Sequence, residues 1–169
     1  MKDFPIFCLI IVEDRNKEVR IIENFDINNL TKPVYHIGKL NSKVIEILQI
    51  ELGEADILLG VDKIKYIEKH KYKFKSDEEY KRHVESVPDI IANPDYIAVH
   101  PTGQSIEYIK QIDEIMIVAV RVRAKGVLWV KSVFPISKQK LETYIRSGST
   151  KKYEWLLTKS WKRQYNINR

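Results

Sequence analysis

Ile115-Met116-Ile117-Val118-Ala119-Val120-Arg121-Val122-Arg123 is the stretch that decides the fold class. Side chains of a strand alternate between two faces, so Met116, Val118, Val120 and Val122 make one face wholly apolar. The other face carries Ile117 and Ala119 and ends in two cations, Arg121 and Arg123. Residues 105–110 before it and 127–134 after it keep the same period of two, and the three segments read as successive antiparallel strands. If Lys125-Gly126 is a two-residue turn, Arg121 lies opposite Val130 and Ala119 opposite Ser132. A three-residue loop instead sets Trp129 and Lys131 beside Arg121. Both registers put a cation next to a polar strand residue, and the sequence leaves the choice open.

Upstream the spacing turns helical, which makes the chain α+β. Asn41-Ser42 can cap a helix carrying Val44, Ile45, Leu48 and Leu52, with Gly53 as its stop. A short strand over residues 57–59 ends at Gly60. Asp62 is then a cap for a helix through Lys71, with Ile64 and Ile67 facing the core and Lys63, Tyr66 and His70 sharing a neighbouring face. Ser76 and Glu79 make a capping box for a second helix that ends before Pro88. Pro94 and Pro101 bracket a strand over residues 96–100. Ser137 caps a last helix through Arg146, broken by Ser147-Gly148-Ser149. The chain termini extend this core. Residues 6–12 and 19–22 read as a hairpin, and the tail from Lys151, with Trp155, Leu156 and Trp161 among many cations, reads as a basic amphipathic helix. We therefore expect a single domain over residues 1–169, with a hairpin extension at 1–33, a core at 57–146 and a basic tail at 151–169.

A chain of 169 residues with 44% hydrophobic content suffices for one real core. Its formal charge of +6, from 29 basic and 23 acidic residues, favours a polyanionic partner while describing a patterned surface and not a basic tail. A lone cysteine, Cys8, gives neither a disulfide framework nor a thiolate cage, and a reducing cytoplasm fits it best. The apolar run Ile6-Phe7-Cys8-Leu9-Ile10-Ile11-Val12 follows Asp3 and Pro5 and lacks a cleavage site, so it reads as a strand and not a signal peptide. No apolar run approaches the roughly 20 residues that span a bilayer, so no membrane partner is expected. The four histidines include no H-E-x-x-H pair, there is no phosphate-cradling glycine loop, and we expect neither a metal nor a cofactor.

Lys63, Lys65, Lys69, Lys71, Lys73 and Lys75 alternate with Tyr66, Tyr72 and Phe74. Cations neutralise phosphates and aromatic faces stack on bases, so Lys63, Tyr66, Lys71, Lys73, Arg123 and Lys131 are candidates for RNA contact. The plainer reading is a solvated face whose Tyr66 and Phe74 help the core. His70 lies in this field and can move a proton near neutral pH. His36, in Val34-Tyr35-His36-Ile37-Gly38-Lys39, is its rival. A histidine near an apolar stripe is more often structural. His83 is expected on the solvent side of its helix, and His100, before Pro101, in a strand end or loop.

Ile67-Glu68-Lys69-His70, then Ile90-Ile91-Ala92-Asn93-Pro94-Asp95, then a strand ending in Arg121, then Trp129-Val130-Lys131-Ser132-Val133-Phe134, together resemble the phage-associated nucleases grouped with barnase, EndoU, the colicin E5/D RNases and the RelE toxins. The resemblance runs from Ile57 to Ile145. It implies helices followed by an antiparallel sheet of about four strands, and metal-independent RNA cleavage on the sheet face. There a ribose 2′-hydroxyl attacks the adjacent phosphate, leaving a 2′,3′-cyclic phosphate and a 5′-hydroxyl, which needs a base, an acid and a cation. The resemblance carries over Lys69 and His70 from the helix and Ser132 from the late strand; Arg121 is added from the sheet geometry. His70 is then acid or base, Lys69 and Arg121 stabilise the phosphate, and Ser132 donates a hydrogen bond to it. A toxin or a phage or mobile-element effector of this kind implies an antitoxin or immunity partner. A catalytically inactive RNA-binding or protein-binding derivative, or a phage accessory protein carrying the domain, is the alternative.

Overall fold

The structure is a computed structural model and describes residues 21–154. All but the last two residues of the expected hairpin at 6–12 and 19–22 lie outside them, as does the tail helix beyond residue 154. Seven strands form one sheet: β1 (Val34–Leu40), β2 (Ala55–Gly60), β3 (Tyr96–Val99), β4 (Ser105–Gln111), β5 (Ile115–Arg121), β6 (Leu128–Ile136) and β7 (Thr150–Lys152), in the order β1-β2-β6-β5-β4-β3-β7. The α+β class holds. The count of about four strands does not, because β1 and β2 add to the β6 edge, and the short polar β7, where the tail helix was expected to begin, pairs with β3. Every pairing is antiparallel except β2 on β6, which is parallel and joins Ile57 to Leu128 and Leu58 to Trp129. Such a brief non-local pairing leaves no periodic trace in sequence.

The helices are α1 (Ser42–Leu48), α2 (Val61–Ile67), α3 (Asp77–Glu85), α4 (Val87–Ala92) and α5 (Lys138–Arg146). Three caps agree with the sequence: Asn41 and Ser137 accept from the third residue onward, as does Ser76, whose Oγ takes the Glu79 N–H at 3.1 Å. The Glu79 carboxylate returns to the N–H of Lys75, one residue before the cap, at 2.6 Å. Three boundaries differ. Gln49, at φ 53°, ends α1 in place of Gly53. Gly60, not Asp62, is the cap residue of α2, and the expected helix to Lys71 tightens after Ile67 into a 3₁₀ stretch, Glu68–Lys73. α3 ends at Glu85, before Pro88, as expected; the proline lies in the first turn of α4, where its missing N–H needs no acceptor.

One sheet face, carrying Ile57, Leu59, Tyr108, Met116, Val118 and Val120, packs with Ile64, Ile67, Val84, Val87, Ile90 and Ile91 from the helices. A Cβ on Gly38 would stand 2.6 Å from Ile91 Cγ2, so glycine is what lets α4 close on β1. His83 ties the helices to the strands. It is fully buried, correcting its expected solvent position; its Nε2 accepts the N–H groups of Asp113 and Glu114 at 3.2 and 2.9 Å, so its proton sits on Nδ1, which donates to the Glu79 carbonyl at 2.7 Å. On the second face, Ile109, Ile115, Ile117 and Ile136 meet Leu141 and Tyr144 of α5 at one end. The other end of that face changes from apolar to polar residues and builds the candidate site.

Candidate active site

The β5–β6 register answers the question of the hairpin by containing both alternatives. Arg121 pairs with Trp129 and Val120 with Val130, then the ladder shifts and Ala119 pairs with Ser132, leaving Lys131 as the extra residue of a bulge. Bulges re-aim side chains, and this one presents an exposed lysine between the Trp129 and Ser132 positions.

Residues paired across a ladder point to the same face. His36, Leu58, Trp129, Arg121 and Ser105 thus form a row across five strands. The adjoining row is Ala98, Glu107, Ala119 and Ser132. Glu107 has an alanine on each side, so little bulk stands beside its carboxylate. It is 6% exposed and enters no hydrogen bond or ion pair among the described residues. Burial pushes its carboxyl above the ordinary range, and the charges of His100, Lys140 and Lys131 pull against that. His100 closes the end of the first row: its N–H donates to the Ser105 carbonyl at 2.9 Å. The Thr102 N–H donates to His100 Nδ1 at 3.2 Å and the Thr102 hydroxyl lies 2.8 Å from it, which places the neutral ring's proton on Nε2. A carboxylate whose proton affinity is raised by burial, an imidazole with a defined donor and a set of cations can together take and give protons beside an anion.

Four of the predicted contacts also converge. Lys63, Arg121, Arg123 and Lys131, with Asp62 and Trp129, line a groove of about 360 Å³ at the end of β5 and the start of α2. The other predicted residues are placed elsewhere. Lys69 Nζ sits 3.5 Å from the Tyr66 ring centroid and Lys63 Nζ 4.9 Å from it, so the ammonium groups cover the phenol that was to stack on a base. The Lys69 hydrogen bond is also the main influence lowering the Tyr66 phenol from its ordinary value. Lys71 pairs with Asp77 at 3.0 Å, and Lys73 lies 5.9 Å from the Tyr72 ring centroid. His70 leaves the expected shared face and turns to Phe134, ring centroids 6.3 Å apart, with Nδ1 buried and unpartnered. Burial, helped by Lys73 and Lys69, lowers its proton affinity. His36 is buried, with Nδ1 3.0 Å from the Ile21 carbonyl and Nε2 3.2 Å from Asp56, so both ring nitrogens are engaged in joining residue 21 to the β1–β2 pair. Ser132 is half-buried and lies opposite Ala119, the pairing expected of the two-residue register, which puts it on the same face as Glu107.

A family model described as phage-Barnase-EndoU-ColicinE5/D-RelE like nuclease3 matches residues 35–143. The chain belongs to this family. The match in this nuclease-like family starts in β1, well before the Ile57 at which the sequence resemblance began, and contains Glu107, His100, Arg121 and Ser132. No curated protein and no solved structure matches the chain.

Sequence reading did not single out Glu107, and it expected His100 in a strand end or loop, where it stands, one residue after β3. The signal for Glu107 was a carboxylate alternating with Ser105 and Ile109 in the strand Ser105-Ile106-Glu107-Tyr108-Ile109, where solvent-facing acids are not expected beside a fully buried Tyr108. Among the described residues, no group of three or more His, Cys, Asp or Glu is placed to hold a metal ion, and no helix is long and apolar enough to cross a membrane.

Proposed function

We propose that this member of the nuclease-like family is a metal-independent endoribonuclease whose cleavage site is the polar end of the sheet. The observation that carries the reading is Glu107, a buried residue whose carboxylate has no hydrogen-bond or ion-pair partner among the described residues, held in its row between two alanines and felt by His100, Lys140 and Lys131. Unpaired buried charge is costly, and a protein that keeps one beside a polar surface has usually assigned it proton chemistry.

In this reaction Glu107 takes the proton of a ribose 2′-hydroxyl, and the 2′-oxygen attacks the adjacent phosphorus. The P–O5′ bond breaks, His100 in its imidazolium form gives the Nε2 proton to the leaving 5′-oxygen and becomes the neutral ring, and a 2′,3′-cyclic phosphate remains. Arg121 and Lys131 counter the charge on the phosphorane, with Ser132 as a further donor. Lys63 and Arg123 hold flanking phosphates. Lys69, His70 and His36 stay outside the reacting set: Lys69 lies on the Tyr66 ring, the His70 ring turns to Phe134, and both ring nitrogens of His36 are engaged. An unrestrained RNase harms the cell that makes it, so a toxin or phage effector role in a bacterial cytoplasm and an antitoxin or immunity partner belong to the same reading.

The test is incubation of purified protein with total RNA in EDTA, followed by analysis of the new termini. We expect 2′,3′-cyclic phosphates and 5′-hydroxyls. Intact RNA that is still bound would favour the inactive binding derivative.

A further inference from the structure

The row of Glu107 does not end at Ala98. Ladder pairing continues it onto β7, where Thr150 lies opposite Ala98, so the row reads Thr150, Ala98, Glu107, Ala119, Ser132. A hydroxyl thus stands on each side of the carboxylate, one alanine away, and the two differ in burial. Ser132 is half-buried, whereas Thr150 is 7% exposed and its Oγ1 is buried with no hydrogen-bond partner among the described residues. Gly148, at φ 77°, turns the chain out of α5 toward β7, an edge strand on which Thr150 is buried while Ser149, Lys151 and Lys152 around it are exposed. Valine would fill the same space without burying an orphan hydroxyl, so packing alone does not explain this residue. Glu107 presents the complementary need: a buried carboxylate that is to act as a base requires donors to its anionic form.

We propose that Thr150 is a positioning residue for Glu107: its hydroxyl donates to one water above Ala98, and that water donates to the Glu107 carboxylate. The inference rests on Glu107 being the general base of the proposed cleavage, and it adds a residue beyond position 143, where the family match ends. Neighbouring strands lie about 4.8 Å apart, so two strands of separation set the backbones of Thr150 and Glu107 roughly 10 Å from each other. A glutamate and a threonine that lean toward each other over an alanine methyl leave a gap of one water, since a water with two partners spans about 5.5 Å. Alanine at position 98 is what leaves that space open; a longer side chain there would stand between the two groups. The buried hydroxyl then fixes the carboxylate from the inner side of the row, and Ser132 on the outer side is left for the phosphate.

The Glu107 carboxyl carbon, titrated by NMR in the full-length protein and assigned by its absence in Glu107→Gln, reads this contact without requiring turnover. Thr150→Val removes a donor to the anionic form, so the titration midpoint should rise by about one pH unit, the worth of a hydrogen bond to a charged group. The acid limb of the pH profile of RNA cleavage should rise with it, while the rate well above that limb stays the same. Thr150→Ser and Thr150→Ala form a second pair, both smaller than threonine: serine should keep the wild-type midpoint and alanine should raise it. A merely structural threonine would change the melting temperature in these variants and leave the midpoint in place. A midpoint unmoved by Thr150→Val, or moved as far by Thr150→Ser as by Thr150→Ala, overturns the proposal. Cleavage whose acid limb ignores Thr150→Val would sink the positioning role alone. A midpoint that rises in a protein without ribonuclease activity would keep the contact and sink the nuclease reading.

Discussion

Arg121 faces Trp129 across the β5–β6 ladder, and beyond a one-residue bulge Ala119 faces Ser132. A regular ladder would have allowed only one of these pairings. The bulge at Lys131 joins them, so a cation with an aromatic neighbour and a hydroxyl in the Glu107 row occur on one sheet face. Deleting Lys131 should therefore harm both regions at once. We expect loss of RNA binding and of cleavage in that deletion, whereas Lys131→Ala, which keeps the bulge, should lower the slope of log affinity against log salt by about one and leave binding otherwise intact. Salt titrations of RNA binding by the two variants separate the outcomes.

Glu107→Gln should reduce cleavage by about 10² to 10⁴-fold, the usual worth of a general base. Stability should move the other way. Because burial raises the carboxyl in the folded state, the native protein holds more protons than the unfolded chain between the ordinary value of 4.5 and the raised one, and stability falls as pH rises through that window. The glutamine variant escapes that loss. Thermal melts of the two proteins should agree near pH 4 and diverge in favour of the variant at pH 7.

His70 gives a control with the opposite sign. Its lowered proton affinity means that the unfolded chain binds the extra proton, so its contribution to stability is lost as pH falls below the ordinary 6.5. His70→Asn should flatten the acid limb of the stability profile and leave RNA cleavage unchanged. Loss of cleavage in a folded His70→Asn protein would return the catalytic role to that residue.

His83→Phe should destabilise the protein by about 2 to 4 kcal/mol in urea denaturation, because two backbone N–H groups and one carbonyl lose their partner in a buried place. The substitution keeps the ring and loses the acceptor, so a near-neutral result would show that water replaces the imidazole.

Gly38→Ala should cost about 1 to 3 kcal/mol, through contact of the new Cβ with Ile91 Cγ2. Ile91→Ala removes that atom. The double variant should lose less than the sum of the two single losses, and additive losses would mean that β1 and α4 yield independently.

Much of the fold was legible because it is periodic or local. The apolar face of β5 and its second face ending in cations, the meander through β4 and β6, and the Asn41, Ser76 and Ser137 caps all announce themselves within a few residues. What the sequence hid was non-local. The parallel join of Leu58 to Trp129 sets β1 and β2 on the sheet, and no local pattern marks it. Likewise, Lys63 and Lys131 looked like separate surface cations until the join of β2 to β6 brought their segments to one groove. His70 drew notice in the sequence because its lysine neighbours suggested a phosphate site; in three dimensions burial and then Lys73 and Lys69 depress its proton affinity, and Lys69 lies on Tyr66. Glu107 drew none because one acid in a strand looks like ordinary alternation until the strand proves buried.

The parallel join of β2 to β6 also sets a schedule for synthesis. Gly60, Asp62 and Lys63 leave the ribosome long before Trp129 and Lys131, and β2 has no β6 to lie against until the rest of the meander has followed. A partly made chain can form its early helices, but it has no groove. The groove comes into being only when almost all of the family-matched segment has been translated, so under the proposed ribonuclease reading an unfinished chain lacks the surface that engages RNA.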